Sequence, residues 1–338
     1  EIVVNRIFML SFLIFLLGSL ATNLITPIWP IYIKSLGASM AELGYVFAIS
    51  NAVAVILQII SGMVSDKYGR RRLHILGTFM AVFPPLLYTL ATNWTDLIPW
   101  VILAGAATGL YTPIRWSIIS DISTIDKRAR AYSWINVAYY AGFIMGPLLG
   151  GSIADIYNIR APFFLCFLLM AMSFPLCLSL GETKVDRLKQ EILKTEELEK
   201  AAVFPKVITL FSLMYFIEGI GYGIFIPITP IFVVTKFSVD LVFVGTLYTI
   251  GTGVASTLLQ IPGGKLAEKY DKRKVVIVSY FLASPFFAIF ALSRNIWELV
   301  LFMSISFGLT GMVWSAHQSL RMNLTPSTRW GLVNAISY

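Results

Sequence analysis

GMVSDKYGRRR, residues 62–72, returns in outline 202 positions later as GKLAEKYDKRK, residues 264–274, with Asp66 falling on Glu268, Tyr68 on Tyr270 and Arg71 on Arg273. Upstream, Gln58 falls on Gln260 at the same offset. ITPIWPIYI (25–33) matches FIPITPIFV (225–233), superposing Pro27 on Pro227 and Pro30 on Pro230, and WINVAYY (134–140) matches LVNAISY (332–338). A chain that repeats itself at three separate places with nearly constant spacing is a duplication of one folding unit.

The material between these repeats is apolar. Of 338 residues, 57% are apolar and 13% charged, and the mean hydropathy is +0.77. Soluble domains carry about 25% charged residues, so the composition excludes a water-soluble fold. Ten full apolar segments lie near 7–33, 42–64, 73–92, 97–120, 132–154, 161–180, 206–234, 241–263, 275–293 and 297–320, and an eleventh begins near 331. Each is long enough for a membrane-crossing helix, and none alternates as a barrel strand does. The fold class is therefore an all-α polytopic membrane protein of two pseudo-symmetric six-helix bundles. Twelve spans are expected, of which about ten and a half are present. The domains read as an N-terminal bundle over 1–181, a polar linker over 182–205 and a C-terminal bundle over 206–338, which lacks the remainder of helix 11 and helix 12.

The net charge of +8 does not point to nucleic acid, because the basic residues sit in short loops between apolar runs. If the segments alternate across a bilayer, one face receives 21 of the 26 Lys and Arg residues, and the other receives Lys34, Arg160, Lys236 and Arg294. The positive-inside rule makes the richer face cytoplasmic, with the N-terminus and the central linker on it. Cys166 and Cys177 lie in one apolar run, too far apart along a helix to bridge each other.

With these features the chain resembles the major facilitator superfamily, most closely its drug:proton antiporter branch. The family's motif between helices 2 and 3 is matched by Gly62, Asp66, Lys67, Gly69, Arg71 and Arg72, with Arg70 inside it. The resemblance implies a cytoplasmic latch, in which Asp66 faces the end of helix 11 and an arginine of the loop pairs with Asp121 at the end of helix 4. A second signature, AGFIMGPLLGG (141–151), resembles the family's helix-5 motif through Gly142, Gly146, Pro147, Gly150 and Gly151. Small residues at every fourth position allow close helix contact, and Pro147 removes one helical hydrogen bond. Within the family this motif is associated with antiporters.

Of 18 acidic residues only Glu218 lies well inside a span. An ionised group there is costly unless it faces a cavity or a partner, so Glu218 is the candidate proton carrier. Tyr215 and Tyr222 share its helical face. Arg115, below Tyr111 in its segment, is placed to hold an anionic group, to act as counter-charge to Glu218, or to snorkel to the interface. His317 and Trp314 in the tenth segment and Asn23 in the first complete the candidate set. The family's use of helices 1, 4, 7 and 10 to line a central cavity favours Asn23, Arg115, Glu218 and His317.

These readings predict a secondary transporter working by alternating access, coupled to a proton gradient and exporting amphipathic or drug-like molecules. Import of an organic anion or sugar through Arg115 is the alternative within transport. A non-transporting receptor on the same fold is the alternative outside it. No nucleophile elbow, metal-ligand pattern or nucleotide loop occurs, so no catalytic residue, metal or cofactor is assigned. The expected partners are a small-molecule solute and the lipid bilayer of the cell membrane, with no nucleic acid and a monomer as the functional unit.

Overall fold

The computed structural model describes residues 6–68, 70–122, 128–181 and 194–323. The N-terminal half contains α1 (Arg6–Ile25), α2 (Trp29–Ser35), α3 (Met40–Tyr68), α4 (Arg70–Tyr88), α5 (Ile98–Ile122), α6 (Arg128–Ile156) and α7 (Ala161–Leu178). The C-terminal half contains α8 (Lys194–Phe237), α9 (Leu241–Tyr248), a π-helical stretch (Thr249–Val254), α10 (Ala255–Lys269), α11 (Lys272–Phe290) and α12 (Ile296–Asn323). Among the described residues nine helical segments are long and apolar enough to cross a membrane, with mean hydropathy from 1.4 to 2.1. Their outward faces carry bare apolar side chains such as Phe281, 76% exposed, and Trp297, 81% exposed. Lipid, not water, is the solvent such surfaces suit.

The sequence segment at 73–92 is α4. It stops at Tyr88 and opens on Arg70, Arg71 and Arg72, which leaves it outside those nine. The first apolar segment is not one rod. Thr22 and Thr26 each return a hydroxyl to the carbonyl four residues back, at 2.8 and 2.9 Å, and Pro30 enters the first turn of α2. Such back-bonding bends helices, and proline supplies no amide to continue one. The matching stretch in the other half has Tyr222 and Ile226 at the threonine positions, and α8 runs unbroken through Pro227 and Pro230. There, Thr229 Oγ1 donates to the Phe225 carbonyl at 2.6 Å. Helix α8 begins at Lys194, within the stretch read as linker; residues 182–193 and the eleventh segment from 331 lie outside the described residues.

The duplication in sequence is also a duplication in packing. In the first half α5 lies against α3 and α4; in the second, α12 lies against α10 and α11. Gly109 of α5 approaches Ala54 and Leu57 of α3, and Gly311 of α12 approaches Ser256 of α10. Both pairs are related by the offset of 202 that relates 62–72 to 264–274. In hydrocarbon the hydrophobic effect does not drive helices together, so close backbone contact through small residues is what holds such bundles.

The halves meet along α6, α9 and the π-helical stretch. Away from the linker, Ile231 and Leu241 pack into the aromatic cluster of the first half around Tyr32, Tyr88 and Phe163, while Ile31 packs into the cluster of the second half around Val233 and Phe290. That end of the seam is sealed by side chains exchanged in both directions.

Candidate functional site

The glycine-rich stretch of α6 serves two contacts at once. Gly142, Gly146 and Gly150 face α1, where they meet the backbone of Ser19, Leu20, Asn23 and Leu24. A Cβ at Gly146 would stand 2.8 Å from the Leu24 amide nitrogen, so only glycine permits this approach. Gly151 and Pro147 instead face the other half: Gly151 meets Leu241, and Gly245 of α9 lies on the Pro147 carbonyl. Proline at 147 has no amide to give the Phe143 carbonyl. Opposite that point the chain is π-helical, Gly253 packs on Phe143 and Ile144, and Thr249 Oγ1 donates to the Ile144 carbonyl at 2.8 Å. A proline defect on one side of the seam thus faces a π-helical defect on the other, a type of irregularity that recurs at functional sites.

Two polar links tie the ends of this seam. Nearer the linker, Gln260 Nε2 donates to the Tyr140 hydroxyl. At the far end the Asp155 carboxylate accepts from the backbone amides of Leu241 at 3.3 Å and Val242 at 2.7 Å. Those amides open α9, where unsatisfied N–H groups and the helix dipole favour a negative charge.

The loop motif places Arg71 at the start of α4. Its Nε donates to the Leu180 carbonyl at 2.6 Å and its Nη2 to the Leu178 carbonyl at 3.0 Å. Arg71 therefore straps the beginning of α4 to the end of α7, a cation on carbonyls that a helix terminus leaves unpaired. Gly62 lies in α3, Arg70 is half-buried and Arg72 exposed. Gly69 and the side chains of Asp66, Lys67 and Asp121 lie outside the described residues, as do those of Trp314 and His317.

The remaining candidates separate into two groups, one in each half. In the second, Glu218 of α8 is half-buried, and its Oε1 accepts from the Tyr280 hydroxyl of α11 at 3.2 Å. One turn along α8, the Tyr222 ring lies 6.3 Å from that of Phe307 on α12; Tyr215, one turn the other way, is half-buried. In the first, Arg115 of α5 is 8% exposed, with its guanidinium carbon 4.1 Å from the Tyr111 ring centre and 5.9 Å from that of Phe15. Arg115 does not pair with Glu218, and its burial is not that of a side chain reaching to an interface. Asn23 is buried where α1 meets α6, and its Nδ2 donates to the Ser19 carbonyl at 2.8 Å. Its amide is spent within its own helix.

Three participants escaped the sequence reading. Tyr280, the partner of Glu218, sits in a segment whose other polar residues are Ser279, Ser284 and Ser293. His74 and Ser11, which join Arg115, lie in apolar runs among other polar residues, with nothing local to set them apart. The one clue was positional: His74 and Thr78 are four apart on α4, and offset 202 carries Thr78 onto Tyr280.

The sequence pattern described as Major Facilitator Superfamily matches residues 11–210 and again 211–338. A transporter described as uncharacterised and MFS-type, from Methanocaldococcus jannaschii, is 26% identical over 324 residues, covering 92% of this chain and 81% of that protein. Multidrug resistance protein 2 of Bacillus subtilis is 25% identical over 264 residues, covering 76% of this chain and 66% of that protein. Among solved structures, a D-xylose-proton symporter superposes with a TM-score of 0.74 at 14% identity, covering 98% of this chain and 86% of the other, a likeness of fold alone. With both copies of the repeat matched and the two-bundle helical fold shared, the chain belongs to the Major Facilitator Superfamily and is a multi-pass membrane transporter rather than an enzyme.

Proposed function

We propose that this transporter couples proton movement to the export of amphipathic small molecules across the cell membrane, with the linker face cytoplasmic and a single chain as the working unit. The observation that carries the reading is Glu218, a carboxylate held between apolar helices by the Tyr280 hydroxyl, with Tyr222 and Phe307 beside it. A carboxylate so placed exchanges a proton far more readily than it endures as a bare anion in hydrocarbon. The seam supports alternating access: it is lined by backbone and small residues along α6 and α9, so two rigid bundles can rock on it. The similarity to a multidrug resistance protein supports the solute class. Import of an organic anion through Arg115 is disfavoured by the burial of that side chain inside the first bundle.

The test is transport of ethidium, a lipophilic cation, in proteoliposomes under an imposed pH gradient. Glu218→Gln keeps the shape and the Tyr280 hydrogen bond but removes the titrating group. It is expected to bind ethidium as the parent does while losing gradient-driven transport. Undiminished pH-driven transport in Glu218→Gln would overturn the role of this residue, and binding without flux in the parent would favour a receptor.

A further inference from the structure

The first bundle holds a second polar centre that proton coupling through Glu218 does not use. At the end of the bundle where α1 begins and α7 finishes, a small cavity is bounded by Ser11 and Phe15 of α1, His74 of α4, Arg115 and Ile118 of α5, and Leu180 just past α7. Its interior has room for about one water-sized particle, too little for an organic solute. Ser11 is 4% exposed, His74 2% and Arg115 8%. Ser11 Oγ, His74 Nε2, and Arg115 Nε and Nη2 are all buried without a hydrogen-bond partner among the described residues.

The character of these groups matters more than their number. Guanidinium nitrogens only donate, and a serine hydroxyl can. Cys177 Sγ stands 3.1 Å from His74 Nδ1; with the thiol donating there, the ring proton lies on Nε2, which then donates too. The two guanidinium nitrogens and the Ser11 hydroxyl can therefore donate into one space around a permanent positive charge whichever ring nitrogen of His74 holds the proton, and His74 Nε2 adds a fourth donor in the tautomer with the proton there. Among the described side chains of the surrounding elements, no carboxylate balances that charge. Helices α1, α4 and α7 contain no Asp or Glu, and the one acid of α5, Asp121, is six positions beyond Arg115, about 9 Å along the helix axis. Tyr111 and Phe15 offer the guanidinium ring faces, which attract the charge without accepting its N–H bonds. Gly18 leaves the guanidinium its place, since a Cβ there would lie 2.8 Å from Nη1. A buried cation with unmet donors is among the costlier features a membrane protein can hold unless something neutralises it.

We propose that this cavity binds a small monovalent inorganic anion of chloride size, held by Arg115, His74 and Ser11, as a structural counter-ion inside the first bundle. It is closed on one side by Leu180, whose carbonyl Arg71 holds, so the anion stabilises the same end of the bundle that the loop motif straps. The site is separate from the seam between the halves and does not depend on the assignment of Glu218.

Thermal unfolding of the purified full chain in detergent tests this, with sodium chloride replaced stepwise by sodium gluconate at constant sodium. Chloride is expected to raise the midpoint saturably, by about 3 °C or more, because a ligand that binds only the folded state stabilises it in proportion to the logarithm of its occupancy ratio. Arg115→Met, similar in length but uncharged, should abolish the chloride dependence, and Ser11→Ala should weaken it. Equal midpoints in chloride and gluconate, or unchanged dependence in Arg115→Met, overturn the proposal in favour of a buried water. Should Arg115→Met fail to fold, bromide-soaked crystals of the parent decide: an anomalous peak within hydrogen-bond reach of Arg115 Nε is expected, and its absence overturns the site.

Discussion

Adding one methyl group at Gly245 and one at Gly146 should produce opposite kinds of damage, although both glycines press on backbone. At Gly245 the new Cβ would lie 2.9 Å from the Pro147 carbonyl carbon and 3.2 Å from Leu148 Cα; at Gly146 it would lie 2.8 Å from the Leu24 nitrogen. Ordinary contact begins near 3.4 Å, so alanine drives the helices apart by about half an ångström at Gly146 and by about an ångström at Gly245, where the Pro147 carbonyl oxygen is nearer still. Overpacking of this kind costs about 1–3 kcal/mol. At Gly146 the two helices belong to one bundle and cannot separate without loosening it, so Gly146→Ala should lower the melting temperature. At Gly245 they belong to different halves, and the strain is relieved when the halves part. The same 1–3 kcal/mol then shifts the conformational equilibrium by roughly 5–150-fold, with little loss of stability. Spin labels on Tyr157→Cys and Leu292→Cys, exposed sites at the same end of the two halves, would report the change as a distance distribution; Cys166 and Cys177 are buried and need no removal. A longer distance in Gly245→Ala, with the parent distribution kept in Gly146→Ala, is the expected result. Equal destabilisation by both, with no change in either distribution, would show the seam to be static packing and refute the reasoning.

Asp155→Asn should weaken closure at the far end of the seam, because it removes a charge from the start of α9 where two amides point at it; the cost is about 1 kcal/mol, or roughly fivefold in the population open at that end, read by the same label pair. Tyr280→Phe should leave folding intact but free the Glu218 carboxylate from its donor, so the pH at which transport is half-maximal should move while ethidium affinity stays near the parent value. An unchanged pH profile would make Tyr280 a packing residue only.

Among the described residues the helices and their pairing into two copies were legible because each rests on a local signal: an apolar run of the right length, a glycine or charge cluster between runs, a repeated spacing. The glycine stretch of α6 was legible for the same reason. What the sequence hid was direction. In a helix that is apolar all round, no stripe marks the side that faces its own bundle, the seam or the lipid. Hence Asn23, Arg115 and Glu218, grouped by the expectation of a shared cavity, sit at three separate places: against α6, inside the first bundle, and between α8, α11 and α12. The break after Ile25 was hidden as well, because prolines at the matching positions leave α8 continuous. The π-helical stretch has no local signature beyond Gly251 and Gly253, whose significance appears once Pro147 is seen opposite.

Where Gly245 rests on the Pro147 carbonyl and Gly151 on Leu241, the two lobes touch through main chain that all sequences share. A joint made of that material depends on its few glycines and not on the side chains elsewhere in the lobes. Residues lining each lobe can therefore drift toward new cargo while the axle on which the lobes turn stays as it was, which offers one physical route by which a duplicated helical scaffold diversifies without losing its movement.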